Sequence, residues 1–137
     1  MTKYNAKSVI EDGIKFSSKM EKDYYLYLKQ QKLQGKIKDF SLQPSFELQP
    51  KFEKMNKKYR PIAYVADFKL IHNDDSIEII DVKGFTNQVF NLKEKMFHYH
   101  HEHPLTLITY SKIDGGWIDL DTLSKNRKER KKNKIKK

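Results

Sequence analysis

The chain has 137 residues, a formal net charge of +10 and no cysteine. This length fits a single domain, and the missing cysteines exclude a disulfide framework, a thiolate zinc site and a cysteine nucleophile. No apolar run approaches the roughly 20 residues of a membrane span. Because residues 1–7 also lack the hydrophobic segment of a secretory signal, we expect a soluble protein of the cytoplasm.

The positive charge is concentrated at the C-terminus. Residues 124–137 contain nine Lys or Arg and one Glu, a net +8 against +10 for the whole chain. We therefore predict a domain over residues 1–123 and a flexible basic tail over residues 124–137, either a binding site for polyanions such as DNA or a solubilising end. The tail cations expected to contact DNA are Lys125, Arg127, Lys128, Arg130, Lys131 and Lys132.

Hydrophobic periodicity and turn residues predict the elements in chain order. They are a helix over residues 15–35, a strand over 40–49, a loop or hairpin turn over 50–60, strands over 61–71 and 76–83, a helix over 86–103, a strand over 105–110 and a packed or paired segment over 117–123. Ser17 or Ser18 is expected to cap the first helix, and Thr86 or Asn87 the second. This order predicts a mixed α/β sandwich in one domain.

Two carboxylates and a lysine stand at the ends of two of the predicted strands. Side chains alternate along a strand, so Asp81 and Lys83 should share the face of Ile79. On the preceding strand, Asp67 should continue the face of Val65. A short polar turn joins the two strands, which predicts that Asp67 and Asp81 meet at one end of the sheet.

This pair suits a hard divalent cation. Two adjacent carboxylates force one pKa upward unless a cation lies between them, and Mg²⁺ commonly takes one or two carboxylates and leaves its other positions to water and phosphate. Such a metal activates water and stabilises charge on a phosphate, while Lys83 would orient the water or neutralise the phosphate. For an isolated Asp-x-Lys, the alternative is a salt-bridged strand end.

Glu21 interrupts the apolar stripe of the first predicted helix. Tyr24, Tyr25 and Leu28 follow it at i+3, i+4 and i+7 and share its face. A buried charge at this position is costly unless it has a partner, such as a water molecule bound to a metal. Ser18-x-x-Glu21 is equally a capping-box pattern, with the Glu21 side chain folded back on the Ser18 amide. Both interpretations stay open from the sequence.

Three further polar residues are candidates for DNA contact. Gln43 on the first strand would reach the carboxylates or a phosphate, or else belongs to an edge strand near Pro44. Lys93 and Lys95 on the second helix would contact DNA phosphates, or else are solvated helix charges.

The ordered set of Glu21, Asp67 and residues 81–83 is similar to that of the PD-(D/E)XK nuclease superfamily. The surrounding sequence resembles a small phage and prophage family of Holliday-junction resolvases within it, over residues 4–7, 12–21, 35–37, 42–48, 64–68, 81–84 and 90–95. The likeness covers roughly residues 4–110, and Ala66 stands where the motif has its proline.

The resemblance implies a restriction-endonuclease-like αβββαβ core, with a mixed sheet flanked by helices, and hydrolysis of DNA phosphodiesters with Mg²⁺, which Mn²⁺ would replace. It implies that Asp67, Asp81 and the Val82 carbonyl bind the metal, with Glu21 supporting the metal or its water. Lys83 would be the catalytic lysine.

We therefore expect a structure-selective DNA endonuclease that cuts four-way junctions, in the bacterial host cytoplasm if a phage encodes it. A junction has two symmetric cleavage sites, which favours a homodimer. The alternatives are another repair, recombination or restriction nuclease of the superfamily and a non-catalytic basic nucleic-acid-binding protein.

Overall fold

The computed structural model describes residues 7–135, so residues 4–6 of the resemblance and residues 136–137 of the basic tail lie outside the described residues. The strands are β1 (Val9–Glu11), β2 (Ile14–Phe16), β3 (Asp39–Leu42), β4 (Ser45–Gln49), β5 (Phe52–Lys54), β6 (Lys57–Tyr59), β7 (Ile62–Val65), β8 (Phe68–Ile71), β9 (Ile77–Val82), β10 (Leu105–Ser111) and β11 (Gly116–Asp119). The helices are α1 (Lys19–Leu33), α2 (Gln88–His100) and α3 (Leu120–Ile135), with a 3-10 turn over Lys112–Asp114. No helix in the described part of the chain is long and apolar enough to cross a membrane.

A mixed five-stranded sheet forms the centre, in the order β11-β10-β9-β8-β3. β9 and β10 are parallel, and the other neighbours are antiparallel. Ile79 and Ile80 on β9 are adjacent in sequence and point to opposite faces, yet both are buried. A strand covered on both faces needs such an apolar run. This confirms the predicted α/β class, with a mixed sheet flanked by helices.

Each face of the sheet has its own hydrophobic core. On one face, the buried residues of α1 pack with Phe16, Ile37, Phe68, Leu70 and Ile80. On the other face, Phe90 and Phe97 of α2 pack with Leu48, Tyr64, Ala66 and Ile79. The second core therefore joins α2 and the β4–β7 pair to the central sheet.

Two predicted strands are each broken in the middle. The prediction of single strands over residues 40–49 and 61–71 was wrong, because β3 pairs with β8 whereas β4 pairs separately with β7. The break falls at Gln43, which has a left-handed φ of 52°, and at Pro44, which has no amide hydrogen to donate. The chain crosses between the two pairs at Ala66 and Asp67, so Val65 is solvent-exposed and does not lie on a strand continuous with Asp67.

The ends of the helices differ from the predicted bounds by a few residues. α1 begins at Lys19 rather than at residue 15, because an unpredicted β1–β2 hairpin occupies the preceding segment. The Ser18 side chain caps α1 and the Asn87 side chain caps α2. Each of them is one of the two alternatives that the sequence offered for its helix. α2 ends at His100 rather than at residue 103.

The basic C-terminal segment is helical where the sequence predicted a flexible tail. α3 continues to Ile135, so the predicted boundary between residues 123 and 124 falls inside a helix. Leu123 is buried, and the Asp114 carboxylate accepts hydrogen bonds from Asn126 at 3.0 Å and Arg130 at 2.6 Å. These contacts to one side of the helix attach α3 to the domain. Lysine content alone does not reveal such contacts.

Candidate active site

Asp67 and Asp81 lie side by side at one end of the central sheet. β8 and β9 form an antiparallel pair in which Phe68 is opposite Ile80. The Asp67 amide donates to the Ile80 carbonyl at 3.2 Å, and the Asp67 carboxyl oxygen Oδ2 accepts from the Val82 amide at 2.8 Å. The structure thus brings the two predicted carboxylates together through their neighbouring strands.

The break in the strands orients Asp67. At the break, the Gln43 amide donates to the Asp67 carbonyl at 2.9 Å, and the Ala66 amide donates to the Pro44 carbonyl at 3.0 Å. Asp67 is therefore fixed by its own amide, carbonyl and carboxyl groups. Gln43 contacts Asp67 through its backbone amide and not through the predicted side chain, and the residue is exposed rather than buried.

Burial and the neighbouring acidic groups act together on the pKa of Asp67. Burial, followed by a hydrogen bond with Asp81 and the negative charges of Asp81 and Glu21, raises this pKa from 3.8 to about 9, against a smaller lowering by the Val82 amide. Without a cation, the Asp67–Asp81 pair therefore retains a proton near neutral pH. A divalent cation would take the place of that proton.

Tyr64 orients the second carboxylate, a contact that sequence reasoning missed. Asp81 is buried, and the Tyr64 hydroxyl donates to its Oδ2 atom. Burial and the negative charge of Asp81 raise the pKa of Tyr64, so the phenol stays neutral and remains a donor. The only signal in the sequence is an aromatic hydroxyl within a buried strand.

Lys83 lies on the same side of the sheet as α2. Its ammonium group is 3.5 Å from Oδ2 of Asp81 and 4.1 Å from the centre of the Phe90 ring. The Lys83 amide also donates to the Ile108 carbonyl of β10 at 2.8 Å. The ammonium is therefore held between a carboxylate and an aromatic face, while a quarter of the side chain stays exposed.

Glu21 reaches the same site from the first turn of α1. It is buried, and its charge contributes to the raised pKa of Asp67. The Glu21 amide donates to Ser18 Oγ at 3.1 Å, which is one half of a capping box. Its carboxylate instead accepts from Ser17 Oγ at 2.8 Å. Ser17 is therefore the partner of this buried charge, and the sequence had suggested it only as a helix cap.

A cleft of about 780 Å³ opens beside Lys83. It is lined by Ser17, Ser18, Lys19, Met20, Val82, Lys83, Gly84, Phe85, Asn87 and Phe90. The caps of α1 and α2, Ser18 and Asn87, both border this cleft. Helix N-termini attract anions through their free amides and the helix dipole, so the cleft suits a phosphate group next to the acidic pair.

The acidic pair has the chemistry of a magnesium site. Within residues 7–135, no group of three or more His, Cys, Asp or Glu side chains is arranged to hold a metal ion. Asp67 and Asp81 do supply two adjacent carboxylates, a donor set that Mg²⁺ uses with water and substrate oxygens. Burial and the neighbouring carboxylates raise the pKa of Asp67, and a bound divalent cation would lower it again. The residues therefore fit a hard divalent cation, with Glu21 close but bonded to Ser17.

The predicted DNA-binding cations lie on the two later helices. Lys93 is partly exposed and Lys95 exposed on α2. On α3, Arg130 is paired with Asp114, whereas the other predicted cations are exposed, namely Lys125, Arg127, Lys128, Lys131 and Lys132. β10 runs parallel to β9 and leads to Asp114, so the Asp114–Arg130 pair places the second half of α3 near the sheet end that contains Asp81.

Comparisons with known proteins identify the family of the chain. No curated protein and no solved structure matches the sequence. A family model matches residues 1–123 and therefore ends inside α3. Because this match covers most of the chain, the protein belongs to the family described as "Protein of unknown function (DUF1064)".

Proposed function

We propose that this protein is a metal-dependent endonuclease that hydrolyses phosphodiester bonds in branched DNA, with the four-way junction as its substrate. The observation that best supports the proposal is the convergence of Asp67, Asp81 and Glu21 next to the Lys83 ammonium. Together with burial, which is the largest cause, the neighbouring carboxylates raise the pKa of Asp67 to about 9. The central elements follow the order α1, β3, β8, β9, α2 and β10. We take this order as a restriction-endonuclease-like core with the β4–β7 segment inserted.

The chain's own groups have distinct roles in this proposal. Asp67 and Asp81, with the Val82 carbonyl, would bind Mg²⁺ or Mn²⁺, which supplies the Lewis acidity that activates water and neutralises phosphate charge. Tyr64 orients Asp81 by a hydrogen bond. Lys83 stabilises the negative charge that develops on the phosphate. Glu21 adds negative charge behind the pair.

The preference for a junction rests on the resemblance of the sequence and on the symmetry of the substrate. Two strands of a junction must be cut at equivalent positions, so we propose that two copies of the chain act together as a homodimer. Light scattering of the purified protein, with and without junction, would give the number of chains.

Cleavage of labelled DNA tests the proposal. The purified chain is incubated with a four-way junction, a flap duplex and a linear duplex, in Mg²⁺, Mn²⁺ or a chelator. We expect paired nicks in the junction with either metal, and a rate about 100-fold or more lower for Asp81→Asn. Asp75→Asn is the matched control, because Asp75 is exposed in the turn at the opposite end of β8 and β9.

Each other outcome changes the conclusion. Equal cutting of flap or linear duplexes would indicate a different nuclease of the same fold. Tight binding without cutting in any metal would indicate a nucleic-acid-binding protein, and undiminished cutting by Asp81→Asn would show that the active site lies elsewhere.

A further inference from the structure

A narrow, exposed β-hairpin extends from the β4–β7 pair. The β5–β6 arm, defined as residues 50–60, is a two-stranded antiparallel ribbon that pairs with no other strand in the described chain. All its residues are exposed. An isolated hairpin is marginally stable, and this one is supported by the stacked rings of Phe52 and Tyr59, whose centres are 4.6 Å apart. At its base, β4 and β7 pack against α2 through Leu48 and Tyr64.

The tip of the arm has a side chain that its backbone conformation disfavours. Met55 and Asn56 form the two-residue turn, with φ values of 53° and 62°. Both central positions of such a turn need positive φ, which favours Asn, Asp or Gly. Met55 makes this position strained, and its side chain is 91% exposed. A large apolar side chain at this exposed position gains no packing that would offset the strain. Residues that are locally unfavourable in this way are typical of functional positions.

The charges of the arm are also unfavourable in the isolated domain. Residues 50–60 contain five cations and one acid, and Lys54 lies directly opposite Lys57 across the ribbon. Like charges at directly opposed positions destabilise a β-ribbon. A polyanion bound along this face would convert the repulsion into attraction and would release counterions.

We infer that the β5–β6 arm is a second DNA-binding surface, in which Lys54 and Lys57 contact backbone phosphates and Met55 inserts into the DNA at the tip. A two-stranded ribbon fits a DNA groove, and exposed apolar side chains are the wedges that DNA-bending proteins insert between base steps. The inference rests on the proposed function only in taking DNA as the polyanion.

The arm is connected directly to the candidate site. Tyr64, which donates to Asp81, lies on the strand that continues from the arm through Ile62. Tyr64 follows Met55 by nine positions in the chain, a separation of at most about 30 Å at the rise of a β-strand. The tip therefore contacts DNA within about one helical turn of the phosphate in the active site.

The first test measures DNA binding without cleavage. Fluorescence anisotropy of a labelled four-way junction is recorded in chelator over a range of salt concentrations, with the full chain. We expect Lys54→Gln with Lys57→Gln to weaken binding about tenfold and to lower the slope of log affinity against log salt by about 1.8. Lys57→Gln removes the lysine repulsion and also the contact of the Lys57 ammonium with the Tyr59 ring, whose centre is 5.2 Å away. Lys54→Gln alone keeps that contact and removes the repulsion, so weaker binding by this single variant as well would show that unfolding of the arm is not the cause.

The matched control is Lys36→Gln with Lys38→Gln. Both lysines are exposed, and Lys38 pairs with Asp75 at the opposite end of the sheet. We expect this control to bind within about twofold of the unmodified chain, because neither lysine belongs to the arm and the charge of Lys38 is already paired with Asp75. An arm variant with unchanged affinity and salt slope would overturn the inference.

A second variant tests the tip. Met55→Gly removes the side chain and relieves the strain at positive φ, so thermal unfolding should occur at the same or a higher temperature. We expect junction affinity to fall about threefold to tenfold, from the loss of a partly buried apolar side chain. Unchanged junction affinity of Met55→Gly would refute the insertion of Met55.

The binding and cleavage results separate the two proposals. If the unmodified chain cuts no DNA but the arm variants bind more weakly, the nuclease proposal fails and the arm inference stands. If the chain cuts junctions and the arm variants bind and cut normally, the arm inference fails alone.

Discussion

The acidic pair and the β5–β6 arm hold charge in opposite ways. Asp81 is 3% exposed, whereas every residue of the arm is solvent-exposed. Desolvation and the adjacent carboxylate of Asp81 together raise the pKa of Asp67. Charges on the arm face water and salt, where pairwise interactions are weak and screened. Burial therefore creates a site that a single substitution can abolish, while exposure creates a surface whose cations contribute separately.

The most severe test of the buried region is Asp67→Asn. In the proposed site, this change removes one of two carboxylate ligands, and we expect junction cleavage to fall about 100-fold or more. Asn retains an oxygen that can accept from the Val82 amide, so the fold should persist. Single-turnover cleavage in Mg²⁺ is the measurement. Cleavage within tenfold of the unmodified chain would exclude Asp67 as a ligand.

The same variant has an opposite effect on metal-free stability. The folded pKa of Asp67, about 9, lies above its usual 3.8, so the folded state retains a proton that the unfolded state loses. The metal-free protein should therefore lose stability as the pH rises from about 4 to about 9, between the usual and the folded pKa of Asp67. Asp67→Asn should remove this pH dependence and raise stability at pH 8 by about 1–3 kcal/mol. Urea unfolding in chelator at several pH values would measure the free energy of unfolding of both chains. If the free energy of Asp67→Asn changed with pH as steeply as that of the unmodified chain, the prediction would be contradicted.

Tyr64→Phe tests whether the hydrogen bond to Asp81 matters for the chemistry. The ring stays in the α2 core, but Asp81 loses its neutral donor. We expect cleavage to fall about tenfold and stability to fall by about 1 kcal/mol. Tyr99→Phe is the control, because Tyr99 is 85% exposed on α2. Equal cleavage by both variants would make Tyr64 a packing residue only.

Asp114→Asn tests whether α3 needs a fixed position to contribute to DNA binding. The pKa of Asp114 is lowered to about 2, chiefly by Arg130, so this ion pair is present at any pH well above 2. We expect the variant to expose α3 to trypsin and to weaken junction binding a few-fold. Asp121→Asn removes the same charge from the start of α3 and should not weaken binding. Equal proteolysis of the two variants would show that Asp114 does not hold the helix.

A single exposed lysine on α3 should have the smallest effect. Lys128→Gln should weaken junction binding about twofold and lower the salt slope by about 0.9 or less. Anisotropy at several salt concentrations would detect this change. A loss of tenfold or more would mean that Lys128 makes a specific contact rather than one of several equivalent ones.

Local sequence patterns were sufficient for the central elements. The alternation of side chains along β9 predicted that Asp81 and Lys83 share one face of the sheet, and in the structure Lys83 lies between Asp81 and Phe90 of α2. The turn between β8 and β9 brought Asp67 next to Asp81. These features depend on residues that are neighbours in the chain or along a short hairpin, which is the range over which periodicity carries information.

Other features arise only from contacts between distant segments. The break at Gln43 and Pro44 has its counterpart at Ala66 and Asp67, so neither strand shows by itself that it changes partner. Tyr64 reaches Asp81 across two strands, and Arg130 reaches Asp114 from a segment whose composition suggested disorder. Burial and hydrogen bonding at these positions depend on which segments pack together, and a one-dimensional pattern of charge and hydropathy does not contain that information.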